Sequence, residues 1–314
     1  MKASDILEVF RFQAQHTAVY ARYLELLGVD PLQITSPEFI PFLPIRFFKS
    51  HTVYNGSRPP EHVFTSSATT GMAPSHHPVD SLERYGQGVL DTFRLFYGNP
   101  SAYTILALLP SYMERPGSSL VYMMQVLMKK SSGKADGFYL HNKEDLYRHL
   151  QTLAAKGKPV WLLGAAFALL DFAETYTVTH PGLTVVETGG MKGKGVELSR
   201  ETLHLRLKSG FPSSPIHSEY SMAELFSQAY ACEEDLYFRC PPSMQVFIRD
   251  LQDPFRYLKD GIRGGINITD LENRHSCSFI ETEDLGLRLP DGRFQVLGRI
   301  PAAELRGCNM LIDL

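Results

Sequence analysis

Between residues 80 and 187 the sequence alternates between segments of helical spacing and short apolar runs of strand length. Asp80 is placed to cap a helix running to about 96, and 104–109 then reads as a buried strand. Helices over 118–130, 143–155 and 167–176 interleave with strands over 137–140, 159–163 and 183–187. Strands of this kind, separated by helices, predict the α/β class, with a parallel or mixed sheet covered by helices.

The flanks differ. Residues 4–27 place Ile6, Leu7, Phe10, Ala14, Ala18, Ala21 and Leu24 at helical spacing, and Gly28 offers a C-terminal stop. Pro31, Pro37, Pro41 and Pro44 then impose an extended segment lying over the core. From about Pro212 shorter β-rich pieces follow, over 216–220, 236–240, 244–248 and 265–270, with a hairpin turning at Asp291-Gly292. The expected organisation is one core over 1–299, an α/β lobe over 1–211 and a β-rich subdomain over 212–299, and then a short tail over 300–314.

The 314 residues, 44% hydrophobic, can bury a large core. Net charge is −3, from 31 basic and 34 acidic residues with no basic run, so neither nucleic acid nor an anionic membrane is implied as a partner. No apolar run reaches membrane-span length, and Lys2, Asp5, Glu8 and Arg11 interrupt the first helix, which predicts a cytoplasmic protein. Cys232, Cys240, Cys277 and Cys308 lack CxxC pairing, which argues against a zinc knuckle or a disulfide framework. His76 and His77 read as loop residues, and no P-loop motif is present.

Phe64-Thr65-Ser66-Ser67-Ala68-Thr69-Thr70-Gly71 crowds hydroxyls and small residues between apolar segments. Backbone N–H groups approach an anion closely only where side chains are small, so such a loop suits a polyphosphate; a solvated connector is the plain alternative. Downstream stand Glu187-Thr188-Gly189-Gly190, then Ser218-Glu219-Tyr220-Ser221-Met222-Ala223-Glu224, then Phe279-Ile280-Glu281-Thr282-Glu283-Asp284-Leu285-Gly286, and then Asp291-Gly292-Arg293 through Gly298-Arg299. This succession resembles the core motifs of the adenylate-forming (ANL) enzymes, and within them the LuxE-type acyl-protein synthetases, from about Phe64 to the C-terminus.

The resemblance implies the large N-terminal domain of those enzymes, with mixed sheets covered by helices and a β-rich second subdomain, and without a full C-terminal lid domain. It implies ATP and Mg²⁺, and a carboxylic acid, of the fatty-acid class, activated as its acyl adenylate. The acyl group would pass as a thioester to a cysteine near the C-terminus, for delivery to an acyl reductase partner. Matched residue by residue, Ser66, Ser67, Thr69, Thr70 and Gly71 would hold the β- and γ-phosphates. Glu224, the last residue of a Tyr-Gly-x-Thr-Glu-like pattern, would be the Mg²⁺ ligand, and Tyr220 would stack on adenine. Gly189 and Gly190 would admit the nucleotide to the backbone, or simply make a tight turn. Asp284 would accept from the ribose hydroxyls and Arg299 would donate to the ribose, whereas a turn former and a surface ion pair are the structural alternatives. Cys308 would be the nucleophile, because a thiolate on a short tail can serve a donor and an acceptor in turn; Cys232, Cys240 and Cys277 read as structural.

The sequence also departs from the pattern. Ala68 stands where a glycine is usual, no lysine follows Gly71, and Ser221 and Ala223 replace the glycine and threonine of the Tyr-Gly-x-Thr-Glu pattern. Pro301 lies where the superfamily has a hinge aspartate. Lys192 or Lys194 is a candidate to compensate for the missing lysine. A non-catalytic nucleotide- or acyl-binding subunit, and an adenylate former that uses coenzyme A as acceptor, are the alternatives.

Overall fold

The computed structural model describes residues 1–66, 73–110, 117–133, 136–140, 142–189 and 198–300. Contacts divide them into two units: Met1–Leu82 with Glu224–Ser227 and the residues from Arg239 onward, and Glu83–Ala223 with Gln228–Phe238.

The first unit opens with α1 (Ala3–His16) and α2 (Ala18–Leu26). The spacing predicts one helix, but Thr17 interrupts it in an extended conformation. The Thr17 hydroxyl, fully buried, donates to the Ser276 carbonyl at 3.1 Å and accepts from Asn55 Nδ2 at 2.6 Å. Tertiary hydrogen bonds thus override helix propensity at a β-branched residue, whose intrinsic preference is weak. Gly28 ends α2 as expected, at φ 68°, the left-handed region that glycine enters without strain. The proline-rich stretch yields β1 (Leu43–Pro44), followed by α3 (Phe47–Ser50) and the antiparallel hairpin of β2 (His62–Thr65) and β3 (His76–Val79).

Helix α4 (Leu82–Tyr97) leads into the second unit, where the alternation read from the sequence is realised. Strand β4 (Thr104–Leu108), α5 (Ser119–Lys130), β5 (Gly137–Tyr139), α6 (Lys143–Ala155), β6 (Val160–Ala165), α7 (Ala166–Thr175), β7 (Leu183–Thr188), α8 (Arg200–Gly210), β8 (Ile216–Tyr220) and β9 (Ala229–Ala231) follow in turn. They build a six-stranded sheet of order β5-β4-β6-β7-β8-β9, parallel except for β9. Every residue of β4 and β6 is buried, which is why these strands are apolar without alternation.

The chain then returns to the first unit with β10 (Met244–Arg249), β11 (Gly264–Asp270), β12 (Phe279–Arg288) and β13 (Phe294–Arg299). These four are antiparallel neighbours, and β1 joins β12 in parallel. Gly292, at φ 85°, makes the expected turn between β12 and β13.

Three expectations are corrected here. The boundary near 211 is not where contacts divide the chain, because the N-terminal segment packs on the C-terminal strands. The Gln13 amide, buried in α1, donates to the carbonyls of Asn273 and Arg274 and accepts from the Ser278 N–H, while Phe10 and Tyr20 meet Phe279. Residues 236–240 are not a strand: Leu236 takes φ 60° in a turn closed onto Glu233. Residues 216–220 are a strand but belong to the parallel sheet of the second unit.

Candidate functional site

Ser66 closes the β2–β3 hairpin. Its N–H donates to the Ser75 carbonyl at 3.2 Å and its Oγ accepts from the Ser75 N–H at 3.0 Å. The Ser/Thr segment is therefore the connection of a hairpin, anchored at its base by the first of its candidate residues. Ser67, Thr69, Thr70 and Gly71 lie outside the described residues, as do Ala68, Gly190, Lys192, Lys194, Pro301 and Cys308. His76 and His77 are strand residues of β3 rather than loop residues. His77 is fully buried between Phe48 and Phe226, where its Nε2 meets Asn273 Oδ1 at 2.9 Å.

Glu224 is buried, and burial pushes its carboxyl up from 4.5. The Ser75 hydroxyl, the residue's own N–H, Arg299 and Lys49 offset part of that rise. The polypeptide around Glu224 is held from several directions. Asn273 Nδ2 donates to the Glu224 carbonyl at 2.8 Å, and Asp270 Oδ2 accepts from the N–H groups of Phe226 at 2.9 Å and Ser227 at 2.8 Å. Asp270 is itself fully buried and its carboxyl is pushed up to about 6 by that burial.

Asp284 and Arg299 are register partners across the β12–β13 hairpin, joined by an ion pair of 3.2 Å. Asp284 is nearly buried, whereas the Arg299 side chain is 68% exposed and also reaches Glu283 at 3.4 Å. Ser66, Glu224, Asp284 and Arg299 thus all lie on the first unit, Ser66 bonded to Ser75 and Arg299 paired with Asp284.

Gly189 and Tyr220 lie on the second unit. Thr188 and Glu219 are register partners on the parallel strands β7 and β8, so Gly189 and Tyr220 come next to each other at the carboxyl ends of adjacent strands. That edge of an open α/β sheet is where ligands commonly bind. Gly189 takes φ 64°, which requires glycine for an unstrained turn. The buried Thr188 hydroxyl bonds the buried Glu219 carboxylate beneath it. The Tyr220 ring lies 5.7 Å from that of Phe238, and the Arg200 guanidinium covers the Phe238 ring at 4.6 Å.

No protein-family model matches the chain, and no curated protein matches it. Solved structures do. 2-Hydroxyisobutyryl-CoA ligase, in its postadenylation state with R3-HIB-AMP, superposes with a TM-score of 0.69 at 15% identity, over 95% of this chain and 67% of that one. ATP-bound MatB from Rhodopseudomonas palustris gives 0.55 at 14% identity, over 76% of this chain and 47% of that one. The luciferase-like enzyme of the Zophobas morio mealworm gives 0.51 at 16% identity, over 76% and 57%. The fold is that of the adenylate-forming enzymes' N-terminal domain.

Several buried groups are not evident from sequence motifs. Glu187, at the end of β7, is fully buried. Burial raises its carboxyl, but Arg200 at 3.1 Å, with His204 and Ser218, outweighs this and holds it below 4.5. Arg200 and His204 come from α8, whose apolar stripe is sparse because only Leu203, Leu207 and Gly210 of its face are buried, and Ser218 comes from β8. For Asp270 and Asn273 the sequence signal is the Asp-x-x-Asn spacing after a strand, which marks a turn. Among the described residues no group of three or more His, Cys, Asp or Glu could hold a metal, and no helix is long and apolar enough to cross a membrane. Burial pushes the Cys277 thiol up to about 12, and burial together with Asp270 does the same for Cys240.

Proposed function

We propose that this chain is an ATP-dependent ligase that activates a carboxylic acid of the long-chain fatty class as its acyl adenylate and loads the acyl group onto Cys308, for delivery to an acyl reductase. The observation that carries the proposal is Glu224, a buried carboxylate at the motif position of the magnesium ligand, its backbone carbonyl held by Asn273 at 2.8 Å. Glu224 fits a hard divalent cation: its charge is poorly solvated where it lies, and magnesium takes one or two carboxylates and fills its remaining positions with phosphate and water oxygens. Bound with ATP, the ion would spread the charge of the departing pyrophosphate.

The remaining roles belong to the chain's own groups. Ser66 and the small residues to Gly71 would donate to the β- and γ-phosphates. Asp284 would accept from the ribose hydroxyls, and Arg299 would donate to the ribose; the two already stand 3.2 Å apart. Tyr220 would offer its ring to adenine, and Gly189 and Gly190 would present bare backbone. A carboxylate oxygen of the acid attacks the α-phosphorus and pyrophosphate leaves; the Cys308 thiolate then attacks the acyl carbon and AMP leaves. The protonated state favoured at Cys240 and Cys277 makes them poor competitors as nucleophiles.

Support also comes from the solved neighbours, of which the 2-hydroxyisobutyryl-CoA ligase binds an acyl adenylate and MatB binds ATP. The ligase also binds CoA, which favours coenzyme A as the alternative acceptor. Ala68, Ser221 and Ala223 motivate the further alternative of a non-catalytic subunit that binds nucleotide or an acyl chain. ATP–pyrophosphate exchange in the presence of fatty acids tests activation directly. The proposal expects acid-dependent exchange that falls by about two orders of magnitude in Glu224→Gln. Absence of exchange with every acid, while ATP still binds, would leave the non-catalytic alternative.

A further inference from the structure

Asn273 joins two parts of the first unit that the sequence separates widely. Its Nδ2 donates to the carbonyls of Glu224 at 2.8 Å and Cys277 at 2.9 Å, which fixes the orientation of the amide. Its Oδ1 then faces His77 Nε2 at 2.9 Å, so His77 carries its proton on Nε2 and donates it. All of these groups are buried, and a donor or acceptor left without a partner there costs far more than the bond itself contributes. His77 stands on β3, the strand that follows the Ser/Thr segment, two residues after Ser75, whose N–H donates to Ser66 Oγ at 3.0 Å. Asp270 fixes the polypeptide just beyond, through the Phe226 and Ser227 N–H groups.

We infer that Asn273 is a positioning residue: with His77 it ties the backbone of Glu224 to β3, so that the carboxylate and the base of the β2–β3 hairpin keep a fixed separation. The functional half of this inference rests on the proposal that Glu224 holds magnesium with ATP. Asn273 does not need to touch substrate; it holds the backbone carbonyl of the residue whose carboxylate would.

The test compares the full-length chain with Asn273→Asp, which keeps the shape but presents an acceptor to two carbonyls, and with His77→Phe, which suits the pocket between Phe48 and Phe226 but cannot donate. His77→Gln restores a donor. Amide hydrogen exchange of Phe226 and Ser227 should quicken by about tenfold or more in Asn273→Asp and His77→Phe, with the β11 and β12 amides unchanged, and should return toward wild type in His77→Gln. The Mg²⁺ concentration for half-maximal ATP–pyrophosphate exchange should rise by about tenfold in the same two variants while the half-saturating fatty acid concentration stays put. Wild-type exchange at Phe226 and Ser227 in a folded His77→Phe, or an unchanged Mg²⁺ requirement in an active variant, would overturn the inference. If Asn273→Asp does not fold, the two His77 variants decide. A wild type with no acid-dependent activity would sink the proposed function, and amide exchange alone would then judge the positioning.

Discussion

Asp284 and Arg299 face each other across the β12–β13 hairpin, with Arg299 Nε 3.2 Å from Asp284 Oδ1, one partner nearly buried and the other mostly in solvent. An exposed arginine contributes little to stability through such a pair, typically less than about 1 kcal/mol. If both groups serve a ribose, their value lies in binding. Arg299→Ala should unfold within about 1 kcal/mol of wild type yet bind ATP about tenfold more weakly, measured by denaturant melts and calorimetry on the same preparations. Equal ATP affinity would reduce the pair to a surface contact.

Glu187 and Arg200 make a different kind of pair, because the carboxylate is fully buried. Removing one partner of a buried pair strands the other, at about 3 to 5 kcal/mol when both are fully enclosed and less here, where Arg200 is partly exposed. The folded-state pKa of Glu187 is depressed, so its contribution is present above the ordinary carboxylate value of 4.5 and is lost as pH falls through the depressed one. Glu187→Gln should lower stability at pH 7 and also remove part of the acid-side decline seen in urea melts across pH 2 to 5. Parallel pH profiles for the two proteins would exclude this assignment.

Asp270 works in the opposite sense. Its pKa is raised from 3.8 to about 6, so the folded chain holds a proton that the unfolded chain releases, and stability falls as pH rises between those values. The span corresponds to at most about 3 kcal/mol. Asp270→Asn should be less stable at every pH, since the amide nitrogen would confront N–H donors, and should lose this slope between pH 4 and 6. Melts of both proteins at half-unit intervals provide the comparison.

The two α/β features that depend on local pattern were readable from sequence: the helix–strand alternation from α4 to β7, and the glycine-marked ends at Gly28, Gly189 and Gly292. What escaped depends on partners distant in sequence. Thr17 breaks a helix because Asn55 and Ser276 meet it, and His77 turns into the core because Asn273 receives its proton. The N-terminal segment joins the C-terminal strands through Gln13 and Phe10, residues that in isolation fit any amphipathic helix. The motif residues Ser66, Glu224, Asp284 and Arg299 were legible as types in order. The Glu187–Arg200 pair was not, because α8 shows only a sparse apolar stripe.

Thiol reactivity separates the cysteines. With its pKa near 12 and its side chain fully buried, Cys277 should resist iodoacetamide at pH 8 in the folded protein and react fully in denaturant, as read by peptide mass spectrometry. Rapid labelling of Cys277 in the native state would contradict the burial described for it.

Intact-protein mass after incubation with ATP, Mg²⁺ and fatty acids of graded length tests the central claim most directly, when repeated after neutral hydroxylamine and on Cys308→Ala. The account predicts an acyl increment that requires ATP, disappears with hydroxylamine and is absent from Cys308→Ala. An equal hydroxylamine-labile increment on Cys308→Ala, or no increment on wild type under conditions where AMP is released, would contradict it.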